Sequence, residues 1–521
     1  MSDLSTIEKL PVEAVNTGAK LKGASFYAAR SKIFPKKVQG QFRRLKWLIM
    51  LVTLGIYYIT PWLRWDRGGH APDQAVLIDI AHRRFYFFFI EIWPQEFFYI
   101  AGLLVMAGVG LFLITSVVGR AWCGYTCPQT VWTDLFIAVE GFFEGDRNAR
   151  MKLDAAPWSF SKLGKRLLKH ASWVLIAIAT GGAWIFYFAD APTLLKSFVT
   201  GQAPYVAYAT VAVLTATTYV FGGLMREQVC IYMCPWPRIQ AAMLDEDSLV
   251  VTYNDWRGEP RSHGSKKAAA QGLASGDCVD CNACVAVCPT GIDIRNGQQL
   301  ECITCALCID ACDNIMDRLE KPRGLIAYST LRDYNHNMAL AKDPASGGIV
   351  PNRIRDAAGN FVKDVRHFNW HIFFRARTLL YVTLWCVIGI GMLYFLLTRD
   401  RLLLEVLHDR NPVSVVLSDG SVRNGFSVKL SNMLPEPRTF ILSLDGLPGA
   451  TMSVAEIKEA TGKSIEVEVE ADKLRQIHVF VTQSAQLTKA GQTAFIFNIT
   501  DPQAFSSARY NAQFDVTGPN P

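Results

Sequence analysis

Eight of the thirteen cysteines in this 521-residue chain stand in two runs of C-x2-C-x2-C-x3-C. The first reads Cys278-Val-Asp-Cys281-Asn-Ala-Cys284-Val-Ala-Val-Cys288-Pro289, the second Cys302-Ile-Thr-Cys305-Ala-Leu-Cys308-Ile-Asp-Ala-Cys312. Thiolates are the ligands of iron–sulfur clusters, and in this spacing the fourth cysteine of one run ligates the other cluster. Cys278, Cys281, Cys284 and Cys312 are therefore assigned to one 4Fe–4S cluster, and Cys302, Cys305, Cys308 and Cys288 to a second. Three thiolates two residues apart can wrap one face of a cubane, and the distant fourth closes the far corner. Zinc sites and disulfide frameworks fit less well, because zinc favours two C-x2-C pairs held apart by a longer spacer.

Four further cysteines form a second repeat, Cys123-Gly-Tyr-Thr-Cys127-Pro128 and Cys230-Ile-Tyr-Met-Cys234-Pro235. Each follows an apolar stretch and precedes an amphipathic one (Val131–Phe143, Ile239–Leu249). Proline suits the first position of a helix, so Pro128 and Pro235 are expected to open new helices. That would set Cys127 and Cys234 at helix N-termini, where the dipole favours a thiolate. A span, a C-x3-C-Pro and a helix, occurring twice, indicate duplication of a helical hairpin whose thiol pairs could face each other. Four soft sulfurs would suit Cu(I), zinc or another cluster. Met233 beside Cys234 is expected to pack, and Cys386 to fill space within a span.

These groups need a membrane frame. The chain is 50% hydrophobic and 12% aromatic, with a mean hydropathy of +0.16, too apolar for an ordinary soluble enzyme. Five stretches are long enough to span a bilayer: about Trp47–Leu63, Phe97–Gly119, Ala171–Ala189, Tyr205–Met225 and Thr378–Leu397. The aromatic run Phe85–Trp93 reads as interfacial or as a pre-helix. Lysine and arginine gather before the first span (Lys32, Lys36, Lys37, Arg43, Arg44, Lys46) and between the second and third, whereas the loop after the third holds only Lys196. The positive-inside rule then makes the N-terminus and the iron–sulfur segment cytoplasmic and the tail after Leu397 external. No cleavable signal stands in the first 45 residues, which are largely polar. The net charge of +7 is explained by this orientation, so no nucleic-acid partner is expected. Twelve of the thirteen cysteines lie on the reducing side or at its edge, where thiols stay free for metals.

The expected organisation is a cytoplasmic segment 1–46, a four-span region 47–250, a cytoplasmic α+β ferredoxin-like module 251–375, a fifth span 376–398 and a periplasmic domain 399–521. The stretch Asp255–Gly276 reads as a linker into the module. In the tail, six segments alternate in polarity and are rich in β-branched residues (Pro412–Ser418, Phe426–Ser431, Thr439–Leu444, Ser464–Glu470, His478–Gln483, Ala494–Thr500). They predict an all-β immunoglobulin-like sandwich without a disulfide. His367 and His371, four apart, are read as interfacial without ligation. Glu91 and Glu96 are read as solvated carboxylates, with a quinol site as the lesser alternative.

The order of basic N-terminus, two cysteine–proline signatures, two ferredoxin runs, a fifth span and a β-rich tail resembles the FixG/CcoG family of cytochrome c oxidase accessory proteins. The likeness covers nearly the whole chain. It implies a bacterial inner-membrane protein with two 4Fe–4S clusters that reduces Cu(II) to Cu(I), serving assembly factors of cbb3-type cytochrome oxidase. By that resemblance Cys123, Cys127, Cys230 and Cys234 are the catalytic copper ligands. NapH-like quinol-oxidising electron-transfer subunits share these motifs, and a non-catalytic copper-holding scaffold is a further reading. The β-rich tail separates the first family from the NapH-like proteins. The electron donor, a quinol or a cytoplasmic carrier, is left open. Asp313 stands where the second run would often have proline.

Overall fold

The computed structural model describes residues 32–68, 71–261, 276–344, 348–356, 361–366, 369–399, 402–434, 436–456, 461–471, 473–488, 491–503 and 506–516. His367 and the side chain of His371 lie outside them. The first part of the chain forms helices α1 (Gln41–Ile59), α2 (Phe98–Val118), α3 (Ala121–Tyr125), α4 (Pro128–Phe143), α5 (Arg147–Ala155), α6 (Phe160–Ile185), α7 (Ala191–Val199), α8 (Tyr205–Thr218) and α9 (Trp236–Met243). The helix α8 continues as a π-helical turn, Tyr219–Met225, and a second such turn spans Val229–Met233.

Among the described residues four helical segments are long and apolar enough to cross a membrane: Gln41–Trp62, Phe98–Val118, Tyr205–Met225 and Ala376–Thr398. They turn large apolar side chains such as Leu51, Leu104 and Ile390 outward, the pattern expected where the surrounding solvent is lipid. The expected third span, Ala171–Ala189, overlaps the second half of α6, a helix of 26 residues that ends at Ile185, or roughly 39 Å. Its first part carries Lys162, Lys165, Arg166 and Lys169, which breaks the apolar run and keeps it out of the four. Small residues let these helices approach closely. A Cβ on Gly181 of α6 would lie 3.0 Å from the Val211 carbonyl of α8. Likewise Gly102 of α2 receives Met392 of the last apolar helix, and Gly389 of that helix receives Met106.

The run Phe85–Trp93 is not a pre-helix. It belongs to an antiparallel meander of β1 (Val76–Asp79), β2 (Arg84–Phe87) and β3 (Ile90–Ile92), with Ile78 opposite Phe85 and Phe85 opposite Ile92. Alternating β-branched and aromatic residues favour strands over a helix here. Glu96, expected to be solvated, is buried. It accepts the Trp93 backbone N–H at 3.1 Å and pairs with Arg399 at 2.7 Å, tying the start of α2 to the far end of the last apolar helix.

The iron–sulfur segment is closed by a two-stranded antiparallel ribbon, β4 (Val250–Tyr253) with β5 (Ile326–Ser329). Between and around them lie α10 (Asp255–Gly258), α11 (Ala283–Val287), α12 (Leu307–Arg318) and α13 (Leu331–Ala341). Asp255–Arg261 is no linker: Trp256 is buried, and Arg257 pairs with Asp277 at 2.6 Å. Residues 262–275 are outside the described set. Next comes α14 (Ala376–Thr398).

Beyond α14 two antiparallel sheets pack face to face. One has the order β11-β10-β13-β8-β6 with β7 paired to β8; the other runs β12-β9-β14-β15. The strands are β6 (Leu402–His408), β7 (Val415–Val416), β8 (Val422–Asn432), β9 (Arg438–Asp445), β10 (Ala450–Val454), β11 (Thr461–Gly462), β12 (Ser464–Val469), β13 (Leu474–Gln483), β14 (Gly491–Asp501) and β15 (Ser506–Val516). Alternate residues point inward, so Val428, Leu430, Leu442, Val467, Val479, Phe497 and Phe514 form one core. Each such side chain contributes about 1.5–3 kcal/mol on burial, enough for a sandwich without a disulfide.

Candidate functional site

The two ferredoxin runs fold as a pair of copies. Asp280 and Asn282 flank Cys281, and Thr304 and Ala306 flank Cys305; all four have positive φ, between 51° and 60°. Left-handed residues beside right-handed ones turn successive backbone N–H groups into one concavity, the nest that cradles anionic sulfur. Asn282 then precedes α11 and Ala306 precedes α12. Here the copies diverge. Pro289 follows Cys288 and α11 stops at Val287, whereas Asp313 lets α12 run on past Cys312 to Arg318. Asp313 also accepts the Gly324 N–H at 3.0 Å. The missing proline therefore lengthens a helix and leaves the cysteines in place.

One cavity is lined by Cys278, Cys281, Cys284 and Cys312, together with Tyr253, Arg295 and Ile326. A second is lined by Cys288, Cys302, Cys305 and Cys308, with Cys284 at its edge. The quartets expected from spacing are thus the quartets brought together. Among the described residues no three Cys, His, Asp or Glu side chains converge on a single ion. A cubane asks for something different, four thiols spread around a volume. Burial pushes the Cys284 thiol up to about 11 and the Cys305 thiol up to about 12, so the protons must leave as the cluster enters. The first cavity is the outer one, with Cys281 exposed. Arg295 there joins Asp280, Asp293 and Asn282.

The membrane-edge thiols sit beside the second cavity. Cys123 on α3 is 8% exposed and packs in one apolar cluster with Val287, Ile303, Cys305, Leu307 and Ala311. Its neighbour Gly124 leaves no space for a side chain, since a Cβ would lie 2.6 Å from the Ile303 carbonyl and 3.0 Å from the Cα of Cys305. The Cys123 thiol donates to Gln240 Oε1 of α9 at 3.0 Å, joining the first motif to the helix that follows the second. As expected, Pro128 opens α4 with Cys127 as its cap. In the second copy Pro235 is itself the cap of α9, one residue after Cys234.

All four thiols lie within one electrostatic neighbourhood. Burial pushes Cys123 up to about 12, Arg120 works against it, and Cys127, Cys230 and Cys234 add to it. Burial also pushes Cys230 up to about 11, reinforced by Cys127 and Cys234. For Cys123 and Cys230 desolvation is the largest influence. Met233, expected to pack, is 53% exposed. Cys386 remains a partly buried residue of α14 beside Trp385.

Two positioning features do not involve the cysteines themselves. The Asp310 carboxylate, between Cys308 and Cys312, accepts the backbone N–H groups of Phe42 (3.2 Å) and Arg43 (2.7 Å). It thereby caps the first membrane helix from the ferredoxin side, against Gly40, where no side chain would fit. A buried Glu140 on α4 collects Arg150 (3.0 Å), Lys169 (3.4 Å) and Arg226 (2.9 Å), locking α4 to α6 and to the second motif. Only the charges of these residues were visible in the sequence, since their partners lie far along the chain.

An α-helical membrane part, a two-cluster ferredoxin module docked on it and an immunoglobulin-like domain define a membrane iron–sulfur electron-transfer protein. The comparisons agree in every part. Residues 225–331 match the family described as 4Fe-4S dicluster domain, residues 100–144 a 4Fe-4S binding domain, and residues 392–516 the IG-like fold at the C-terminal of FixG. The chain is 64% identical over 514 residues to nitrogen fixation protein FixG of Rhizobium meliloti, covering 99% of this chain and 98% of that protein. Proteins RdxB and RdxA of Cereibacter sphaeroides are 53% and 50% identical over 448 and 475 residues, covering 84% and 91% of this chain and 89% and 94% of theirs. The crystal structure of a FixG-related protein from Vibrio parahaemolyticus aligns with 22% of this chain and 97% of its own at 17% identity and a TM-score of 0.20. This chain belongs to the FixG family.

Proposed function

We propose that the protein reduces Cu(II) to Cu(I) at Cys123, Cys127, Cys230 and Cys234, in the bacterial inner membrane, for assembly of a cbb3-type cytochrome oxidase. In this reading the module is cytoplasmic and the sandwich periplasmic. Cys278, Cys281, Cys284 and Cys312 hold one cluster, and Cys288, Cys302, Cys305 and Cys308 the other. Bound 4Fe–4S clusters supply single electrons, and Cu(II) takes up one electron to become Cu(I). Soft thiolates favour the cuprous product. The chain's own part is to exclude water between the two sites, hold them in contact and release protons from the thiols as metal binds. One observation carries the reading: Cys123 shares an apolar cluster with Cys305, and Gly124 presses on the Cys305 backbone. The exposed Cys281 marks the outer cavity as the side where an electron donor meets the protein.

A second reading is favoured by the match of residues 100–144 to a 4Fe-4S binding domain. That stretch holds only Cys123 and Cys127, so a third cluster would need both motifs. Iron and copper are counted on anaerobically purified protein, then on Cys123→Ser and Cys230→Ser. About eight iron per chain with copper lost in the variants supports the copper site; about twelve iron supports the third cluster. Turnover with a cuprous chelator separates a reductase from a copper-holding scaffold. Clusters reduced by quinol in a protein without copper would favour the NapH-like reading.

A further inference from the structure

Each cysteine–proline motif is preceded by an arginine at a sharp backbone turn, and the two arginines are treated differently. Arg226 follows the π-helical turn at φ +43°. Its guanidinium is neutralised by Glu140 at 2.9 Å and also donates to the Gly223 carbonyl. Arg120 follows Gly119, whose φ is +56° and where a Cβ would lie 2.6 Å from the Leu249 carbonyl. Arg120 is 5% exposed. One of its terminal nitrogens donates to the Leu300 carbonyl, two residues before Cys302. Its Nε–H is buried without an acceptor, whereas Arg226 has the Glu140 carboxylate at 2.9 Å. An arginine keeps its proton in a protein, and a buried charge without a counter-charge is expensive. Its charge bears most on Cys123 and less on Cys230 and Cys302, and the buried Glu227 also bears on Cys230.

We propose that Arg120 is the positioning residue for electron flow, a fixed positive charge set between the second ferredoxin loop and the membrane-edge thiols. Its charge raises the reduction potential of the cluster held by Cys288, Cys302, Cys305 and Cys308 above that of the outer cluster. Fewer negative charges and more hydrogen bonds at sulfur both raise cluster potentials. Electrons entering at the exposed cavity then run inward. The proposal rests on the cluster-ligand assignment above and not on which metal the four thiols take.

The test is an anaerobic redox titration followed by EPR on the full-length protein in detergent, without copper, for the parent, R120Q and R120K. One of the two cluster signals should move to lower potential in R120Q, by at least tenfold in its reduction equilibrium, or about 59 mV for one electron. R120K should fall between, and the other signal should stay fixed. Unchanged potentials in both variants overturn the proposal, and so do two signals that move together, which would mean general loosening. If R120Q fails to retain iron, R120K decides alone: one lowered signal supports the proposal, and none or both overturns it. Because copper is absent, failure of the copper reading leaves this measurement intact.

Discussion

The two cysteine–proline motifs share one spacing and differ in their surroundings. In the first, Cys123 is buried, bonded to Gln240 and packed on the loop of Cys305. In the second, Cys230 and Cys234 are half-buried, and the wider π-helical turn between them leaves Tyr232 and Met233 exposed. Such turns often mark functional sites. The difference teaches that the proposed site has two sides, one dry and pressed against the second ferredoxin loop, the other open with soft sulfur at the surface. An ion that must arrive, be reduced and leave needs both.

That contrast can be broken from either side. The largest effect is expected for Cys123→Ser, which should lower cuprous production by more than about 100-fold while iron content holds. Cys234→Ser and Met233→Ala should act on the open side, raising the KM for Cu(II) more than they lower kcat. Equal kcat and KM effects on both sides would erase the distinction. Gly124→Ala should come next. Overpacking against Ile303 and Cys305 costs about 1–3 kcal/mol, read as a lower Tm and slower reoxidation of the module by Cu(II), with copper still bound.

Asp310→Ala should remove the cap of α1 and lower stability by about 1 kcal/mol, with Gly40→Ala giving a similar loss; a urea midpoint in detergent checks both. The smallest effect concerns acid. Despite opposing burial, Arg375, Ser248 and Arg377 hold the Asp245 carboxyl down at about 2. Its folded-state value lies below the ordinary 3.8, so the tie to the start of α14 is intact above pH 3.8 and lost as pH falls toward 2. Asp245→Asn should flatten that part of the pH–stability curve.

The grouping of the eight cysteines was legible because it is written in local spacing, and each four line one cavity. The duplicated thiol pairs were legible for the same reason. Arg120 and Asp310 were not, since Leu300 lies 180 residues from the first and Phe42 268 from the second. Only tertiary contact gives them meaning. The meander β1–β3 was hidden because an aromatic run next to a span looks interfacial whatever its backbone does. In the sandwich, β6 was obscured by following α14 directly. The strand β15 was obscured by an alternation built on Ala508, Tyr510 and Ala512 among polar residues.

The most direct trial mixes dithionite-reduced, donor-free protein with Cu(II) and follows cluster absorbance and a cuprous chelator together. The account predicts that the two signals change at one rate and yield about two Cu(I) per chain, one for each cluster electron, and that Cys123→Ser uncouples them. Clusters that stay reduced in the presence of Cu(II), or equal Cu(I) production by Cys123→Ser, would contradict it.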